Sequence, residues 1–171
     1  GRAGHRWHRA DAAQRFRRQN LFLRSKNCLT DSGEVFVDGV SMQKEPLRAK
    51  QKLAYLPDDP KLYEYMTGIQ YLDFIANVYG VGDAARAEHT RIYSERFDLN
   101  DALSQPIGAY SHGMKQKLAI ISALLHAPKL ILMDEPFVGL DPLASHQLKQ
   151  TMRVFCDAGG AIFFCILSAL Q

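Results

Sequence analysis

From residue 33 onward, apolar runs alternate with helical periodicities. "GEVFVDGV" (33–40) predicts a strand ending in an Asp-Gly turn. "KLAYLP" (52–57) predicts a second strand, closed by Pro57. Thr67 and Gln70 make a capping box, each side chain reaching an orphan amide at a helix start. The helix that follows carries Ile69, Leu72, Ile75, Ala76 and Tyr79 on one face and ends at Gly80. A second helical stretch covers residues 83–97. A third begins at Ser111, with Met114, Leu118, Ile121 and Leu125 at helical spacing. "KLILMD" (129–134) predicts a strand. A helix from Pro142 to about residue 157 follows, with Ala144, Leu148, Met152 and Phe155 as its apolar face. Gly159-Gly160 breaks it, and "AIFFCIL" (161–167) predicts a buried strand.

Apolar strands separated by helices imply an α/β fold with a mainly parallel sheet covered on both faces. The helices within about 60–127 predict an inserted lobe. A length of 171 residues fits one domain, with or without an irregular segment, and 47% hydrophobic residues suffice for a sizeable core.

Charge divides the chain near residue 30. Residues 1–30 hold eight Arg or Lys and one acid, Asp11, a net +7; the other 13 basic and 17 acidic residues give −4. Such asymmetry fits a nucleic-acid or membrane-surface arm, or a solvated, disordered tail. The segment lacks interleaved aromatics for base stacking, which favours the tail, so no specific nucleic-acid partner is expected. No apolar stretch matches a signal peptide or the roughly 18 residues of a membrane span. Cys28, Cys156 and Cys165 are far apart and odd in number, without metal or disulfide spacing, which fits a reducing, cytosolic compartment.

Candidate chemistry lies in "LILMDEP" (130–136), where an apolar strand ends in two adjacent carboxylates. In a parallel α/β sheet, ligands bind beyond the carboxyl ends of the strands. Strand alternation predicts that Asp134 and Glu135 point differently. Asp134 can then face Mg²⁺ while Glu135 orients a water, a division suited to phosphoryl transfer. Taken alone the pair is a weak signal, and an acidic cap for a following helix explains it better. "AYSHGMKQKLAI" (109–120) puts Ser111 at an N-cap and Gly113 where a phosphate could approach the backbone, aided by the helix dipole. A plain cap with a flexible glycine is the alternative. "GLDP" (139–142) makes Asp141 an N-cap and Pro142 the first helical residue.

Taken in order, "YSHGMKQKL", "LILMDEP" and "VGLDP" resemble the ATP-binding subunit of ABC transporters, most similarly exporters of the ABC-2 type. Residues 110–114 resemble the signature motif, usually Leu-Ser-Gly-Gly-Gln. Residues 130–135 resemble the Walker B strand with its glutamate, and residues 139–141 the D-loop. "YLPDDPKLYEYMTG" (55–68) resembles the Q-loop region that faces the membrane partner. The resemblance covers residue 31 to about 164. It implies a P-loop NTPase-like ABC ATPase core with a helical subdomain at about 60–127. It also implies ATP and Mg²⁺ as ligands, and two subunits, identical or not, sandwiching ATP head to tail. Glu135 would be catalytic, with Asp134 and Asp58 on the metal side. Ser111, His112, Gly113, Met114, Gln116 and Asp141 would serve the nucleotide, the signature residues in trans. A separate transmembrane permease would hold the subunit on the inner face of the cell membrane, docking around residues 58–67, where Tyr63 and Tyr65 fit docking or lobe packing equally.

The chain departs from that pattern in four places. No Gly-x-x-x-x-Gly-Lys-Ser/Thr run occurs in the 171 residues, although such a loop cradles phosphates through its amides and lysine. No His follows the last predicted strand; His126 and His146 fall in helical stretches and read as surface or packing residues. Asp58 replaces the usual Gln of the Q-loop, and His112 the first signature glycine; both changes are mild. The two larger departures lie toward the ends, the pattern of altered reading frames or of a fragment, with the core incomplete at both ends. They imply impaired ATP binding by this chain alone. Three functions follow: an ATPase subunit powering an exporter, a non-hydrolysing partner lending its signature helix to a complete paralogue, or an inactive fragment.

Overall fold

The computed structural model describes residues 34–165. The basic segment 1–30, Cys28 and residues 166–171 lie outside the described residues.

The Asp-Gly turn does not end a single strand. It joins two short ones, β1 (Phe36–Val37) and β2 (Val40–Ser41), paired antiparallel with Val37 opposite Val40. Asp38 and Gly39 both have positive φ, 48° and 75°, the geometry whose twist matches a tight hairpin. Helix α1 (Pro46–Gln51), which the pattern did not predict, starts with Pro46 in its first turn and buries Ala49 with Val37, Val40 and Met42 in a small core of their own.

Strand β3 (Leu53–Leu56) then enters the main core. Helix α2 (Gly68–Tyr79) starts in the predicted capping box: Thr67 Oγ1 accepts from the Gln70 amide at 3.3 Å, and Gln70 Oε1 accepts from the Thr67 amide at 3.0 Å. Gly80, at φ 68°, ends it in the left-handed cap that glycine tolerates. Its buried face differs slightly from the predicted one. Ile69 is 38% exposed, whereas Tyr71 is buried with Leu72 and Ala76. The helix start is held close to its neighbours, for a Cβ on Gly68 would fall 2.3 Å from Tyr110 Oη. Helix α3 (Asp83–Arg96), two single-turn 3-10 segments and helix α4 (His112–Leu124) complete the run between β3 and the next strand.

Strand β4 (Leu130–Asp134), helix α5 (Pro142–Asp157) and strand β5 (Ala161–Cys165) follow. Their sheet has the order β3-β4-β5 and is parallel throughout, with Leu56 opposite Met133 and Asp134 opposite Cys165. One core joins the sheet to the helices through Leu56, Leu72, Phe97, Leu118, Ile131 and Leu148. Burying each such side chain is worth about 1.5–3 kcal/mol relative to exposure. Strand β5 departs from its predicted burial. It is an outer strand of the described sheet, and Phe163 and Phe164 are 36% and 45% exposed. An outer strand has a partner on one side only, so an apolar run does not ensure burial.

Candidate functional site

The parallel register brings the carboxyl ends of β3 and β4 to one edge of the sheet. Asp58 lies two residues beyond Leu56, and Asp134 one beyond Met133, and those two residues are register partners. Along β4, Ile131 and Met133 are buried while Leu130, Leu132 and Asp134 are partly open, so Asp134 faces away from the deepest core. Asp58 is exposed, and its Oδ1 accepts from the Asp59 amide at 2.9 Å.

Simple strand alternation does not direct Glu135. It lies one residue past β4 with φ 47°, a left-handed conformation unusual for a residue with a Cβ. Pro136, which follows, further restricts the backbone before it. The Glu135 carbonyl accepts from the Val138 amide at 3.1 Å, closing a turn. Left-handed backbone at a non-glycine costs roughly 1–3 kcal/mol and concentrates at functional sites. The turn, rather than the pleat, thus separates Glu135 from Asp134.

The loop from Glu135 ends at Asp141, the N-cap of α5. Asp141 Oδ1 accepts from the Ala144 amide at 2.8 Å, and Lys117 of α4 lies 3.3 Å from its Oδ2. The hydrogen bond from Ala144 holds the Asp141 carboxyl below its ordinary pKa, and Lys117 adds to this. Lys117 carried no signal in the sequence, because its partner is distant along the chain.

Helix α4 presents its first turn at the same place. Ser111 is exposed, and its Oγ accepts from the Met114 amide at 3.2 Å. Gly113 meets the loop closely: a Cβ there would fall 2.8 Å from the Gly139 carbonyl oxygen. The His112 ring lies over Gly139, whose own Cβ would fall 2.2 Å from His112 Cδ2. His112 and Lys115 also help to hold the Asp59 carboxyl below its ordinary pKa, though hydrogen-bonded Lys61 does most of this. Lys115 lies 2.5 Å from Glu64, tying α4 to the segment after β3.

The residues predicted to serve a nucleotide therefore separate. His112 and Gly113 meet Gly139 in the loop that runs from Glu135 to Asp141, and Ser111 lies next to them at the exposed head of α4. Met114 is half-buried and packs against the main core. Gln116 is wholly buried, and neither of its amide atoms finds a hydrogen-bond partner among the described residues. Its side chain faces inward. His126 follows α4 and stacks on Tyr79, while His146 is exposed on α5, so both are surface or packing residues. Among the described residues no cluster of three or more His, Cys, Asp or Glu could hold a metal. Mg²⁺ needs no such cage, since it commonly takes one or two carboxylates and lets substrate phosphates and waters supply the rest. Asp134 fits that limited role.

Comparison with known proteins accounts for this arrangement. The family model described as "ABC transporter" matches residues 20–138. The linearmycin resistance ATP-binding protein LnrL of Bacillus subtilis is 31% identical over 134 residues, 78% of this chain and 43% of its own length. The ABC transporter ATP-binding protein NatA of the same species is 34% identical over 122 residues, 71% of this chain and 50% of its own. The chain thus spans about half the length of these curated relatives. A solved structure of an ATP binding subunit of an ABC transporter superposes with a TM-score of 0.80 at 29% identity, covering 91% of this chain and 64% of that one. The parallel sheet with its helices is the P-loop NTPase-like α/β fold of ABC ATPase domains. This chain belongs to the ABC transporter family.

Proposed function

We propose that the chain is an ATP-binding, ATP-hydrolysing subunit that powers an ABC membrane exporter. The observation that carries this reading is the meeting of two segments at one edge of the sheet: the loop from Glu135 to Asp141, and the open first turn of α4. ATP and Mg²⁺ are the ligands. Asp134 offers a carboxylate to the metal, with Asp58 beside it at the sheet edge. Mg²⁺ would neutralise charge developing on the transferred phosphoryl group. Glu135 orients the attacking water and accepts its proton. Ser111, Gly113 and the amides at the head of α4 face the γ-phosphate held by a second subunit, where the helix dipole favours an anion. The second subunit is a copy of this chain or a related one.

No helix among the described residues is long and apolar enough to cross a membrane. A separate transmembrane permease would hold the subunit on the inner, cytoplasmic face, and segment 58–67 is its candidate docking surface. The two tyrosines there differ. Tyr65 is 79% exposed, whereas the ring of Tyr63 lies 5.6 Å from Phe74 and 6.2 Å from Tyr71. Tyr65 therefore suits docking and Tyr63 packing. The deciding experiment measures Mg-ATP binding and hydrolysis by the full chain and by Glu135→Gln. The variant should bind as before and hydrolyse at least about a hundredfold more slowly. Hydrolysis at the unaltered rate would refute the reading.

A second reading is favoured by the lack of a Gly-x-x-x-x-Gly-Lys-Ser/Thr run in the 171 residues. On this reading the chain lends α4 to the nucleotide site of a complete relative. It predicts no Mg-ATP affinity by the chain alone, and hydrolysis in the mixture that depends on Ser111.

A further inference from the structure

We propose that His112 is a positioning residue that holds the loop between Glu135 and Asp141 against the start of α4. The idea rests on the function proposed above and concerns the regulation of the same site. The loop packs Phe137 and Leu140 against the main core and leaves Val138 and Gly139 between them exposed. Its internal backbone hydrogen bonds among the described residues are two, Val138 N–H to the Glu135 carbonyl at 3.1 Å and Leu140 N–H to the Phe137 carbonyl at 3.3 Å. Just past its midpoint lies Gly139, at φ 77°, with no side chain to pack and access to conformations closed to other residues.

His112 supplies the missing mass. Its Cδ2 and Nε2 lie 2.2 and 2.6 Å from where a Gly139 Cβ would be, so the imidazole fills the space the glycine leaves. Gly113 next to it lets the two backbones approach, and Lys117 pairs with Asp141 farther along. The three contacts fall on successive parts of α4 and tie one face of the helix to one loop. Glycine is usual at position 112 in the signature motif that residues 110–114 resemble, so the imidazole adds bulk that the usual residue lacks. Glu135 is the loop's first residue and Asp141 its last. A side chain that holds Gly139 steadies the segment joining them, and it should act on turnover rather than on nucleotide affinity.

Hydrogen exchange on the full chain tests the contact without nucleotide. His112→Gly should speed exchange at Val138 and Leu140 about tenfold, while the Lys115 amide inside α4 is unchanged. His112→Asn, whose amide can fill part of the same space, should restore most of the protection. Unchanged exchange at Val138 and Leu140 would overturn the inference. If His112→Gly folds poorly, Gly139→Ala serves instead. It should cost more stability with His112 present than in a His112→Ala background, where the space is empty, and equal costs would overturn the inference.

Turnover supplies the functional arm, measured in a mixture with a complete relative. His112→Gly should lower kcat about ten- to a hundredfold with KM for ATP unchanged, and His112→Asn should recover it. An active mixture in which kcat does not respond would make the contact mere packing and overturn the positioning role. An inactive mixture with the unsubstituted chain would instead refute the proposed function, and exchange would still decide whether His112 holds the loop.

Discussion

Lys117 Nζ lies 3.3 Å from Asp141 Oδ2, while the other oxygen of that carboxylate caps α5 through the Ala144 amide. One side chain therefore starts a helix and joins it to another. Asp141→Asn keeps a cap acceptor and loses only an ion pair whose carboxylate is about half exposed, worth about 1 kcal/mol. Asp141→Ala loses both and should cost about 1–2 kcal/mol. The folded-state pKa lies below the ordinary value, so this contribution is complete above about pH 4 and is lost as pH falls through the folded value. Denaturant titrations of both variants in acid measure it; equal losses would show that the cap bond matters little.

His126 should impose a second pH dependence. Its ring stacks on Tyr79 at 3.7 Å, its Nε2 lies 3.3 Å from the Leu53 carbonyl, and its buried Nδ1 has no partner among the described residues. Burial pushes its pKa down, with the hydrogen bond to Leu53 opposing. Above about pH 6.5 the ring is neutral in both states. Below that value the unfolded chain gains a proton that the folded one resists, so stability falls with pH. His126→Phe keeps the stack and should flatten the stability curve between about pH 7.5 and about pH 5.5. An unchanged slope would assign it to other groups.

Gln116 makes a prediction of opposite sign from a nucleotide contact. Its buried amide has no partner among the described residues, and an unsatisfied buried amide costs roughly 1–3 kcal/mol. Gln116→Met, similar in volume, should raise stability by about 1 kcal/mol in thermal or chemical unfolding. A marked destabilisation would mean that the amide is satisfied in solution.

The backbone at Glu135 is testable apart from its carboxylate. Glu135→Gly and Glu135→Ala both remove the acid, but only glycine suits φ 47°. The glycine variant should be more stable by about 1 kcal/mol, the difference read from their unfolding midpoints. Equal midpoints would argue that the turn relaxes at no cost.

Some of this site was legible because its signals are local. Ser111, Asp141 and the Thr67–Gln70 pair each serve amides within three residues, and all three caps form as predicted. The bounds of β4 and α5 follow from apolar spacing for the same reason. The interior position of Gln116 was hidden because its hydrogen-bonding capacity resembles that of a binding residue; only packing against distant segments shows that it faces inward. The exposure of Phe163 and Phe164 was hidden likewise, since an apolar run does not say whether a strand is central or outer.

The sequence by itself determined where β4, α5 and the side-chain-capped helices begin, though not helix α1 or the β1–β2 hairpin, and that two carboxylates follow an apolar strand. Propensity, capping and periodicity act within a few residues, so order along the chain suffices for them. Tertiary structure alone decided that a left-handed turn, not the pleat, directs Glu135, and that His112 fills the space over Gly139. Those facts depend on which segments meet in space. Such meetings arise from close packing between elements far apart in sequence, which no local pattern records.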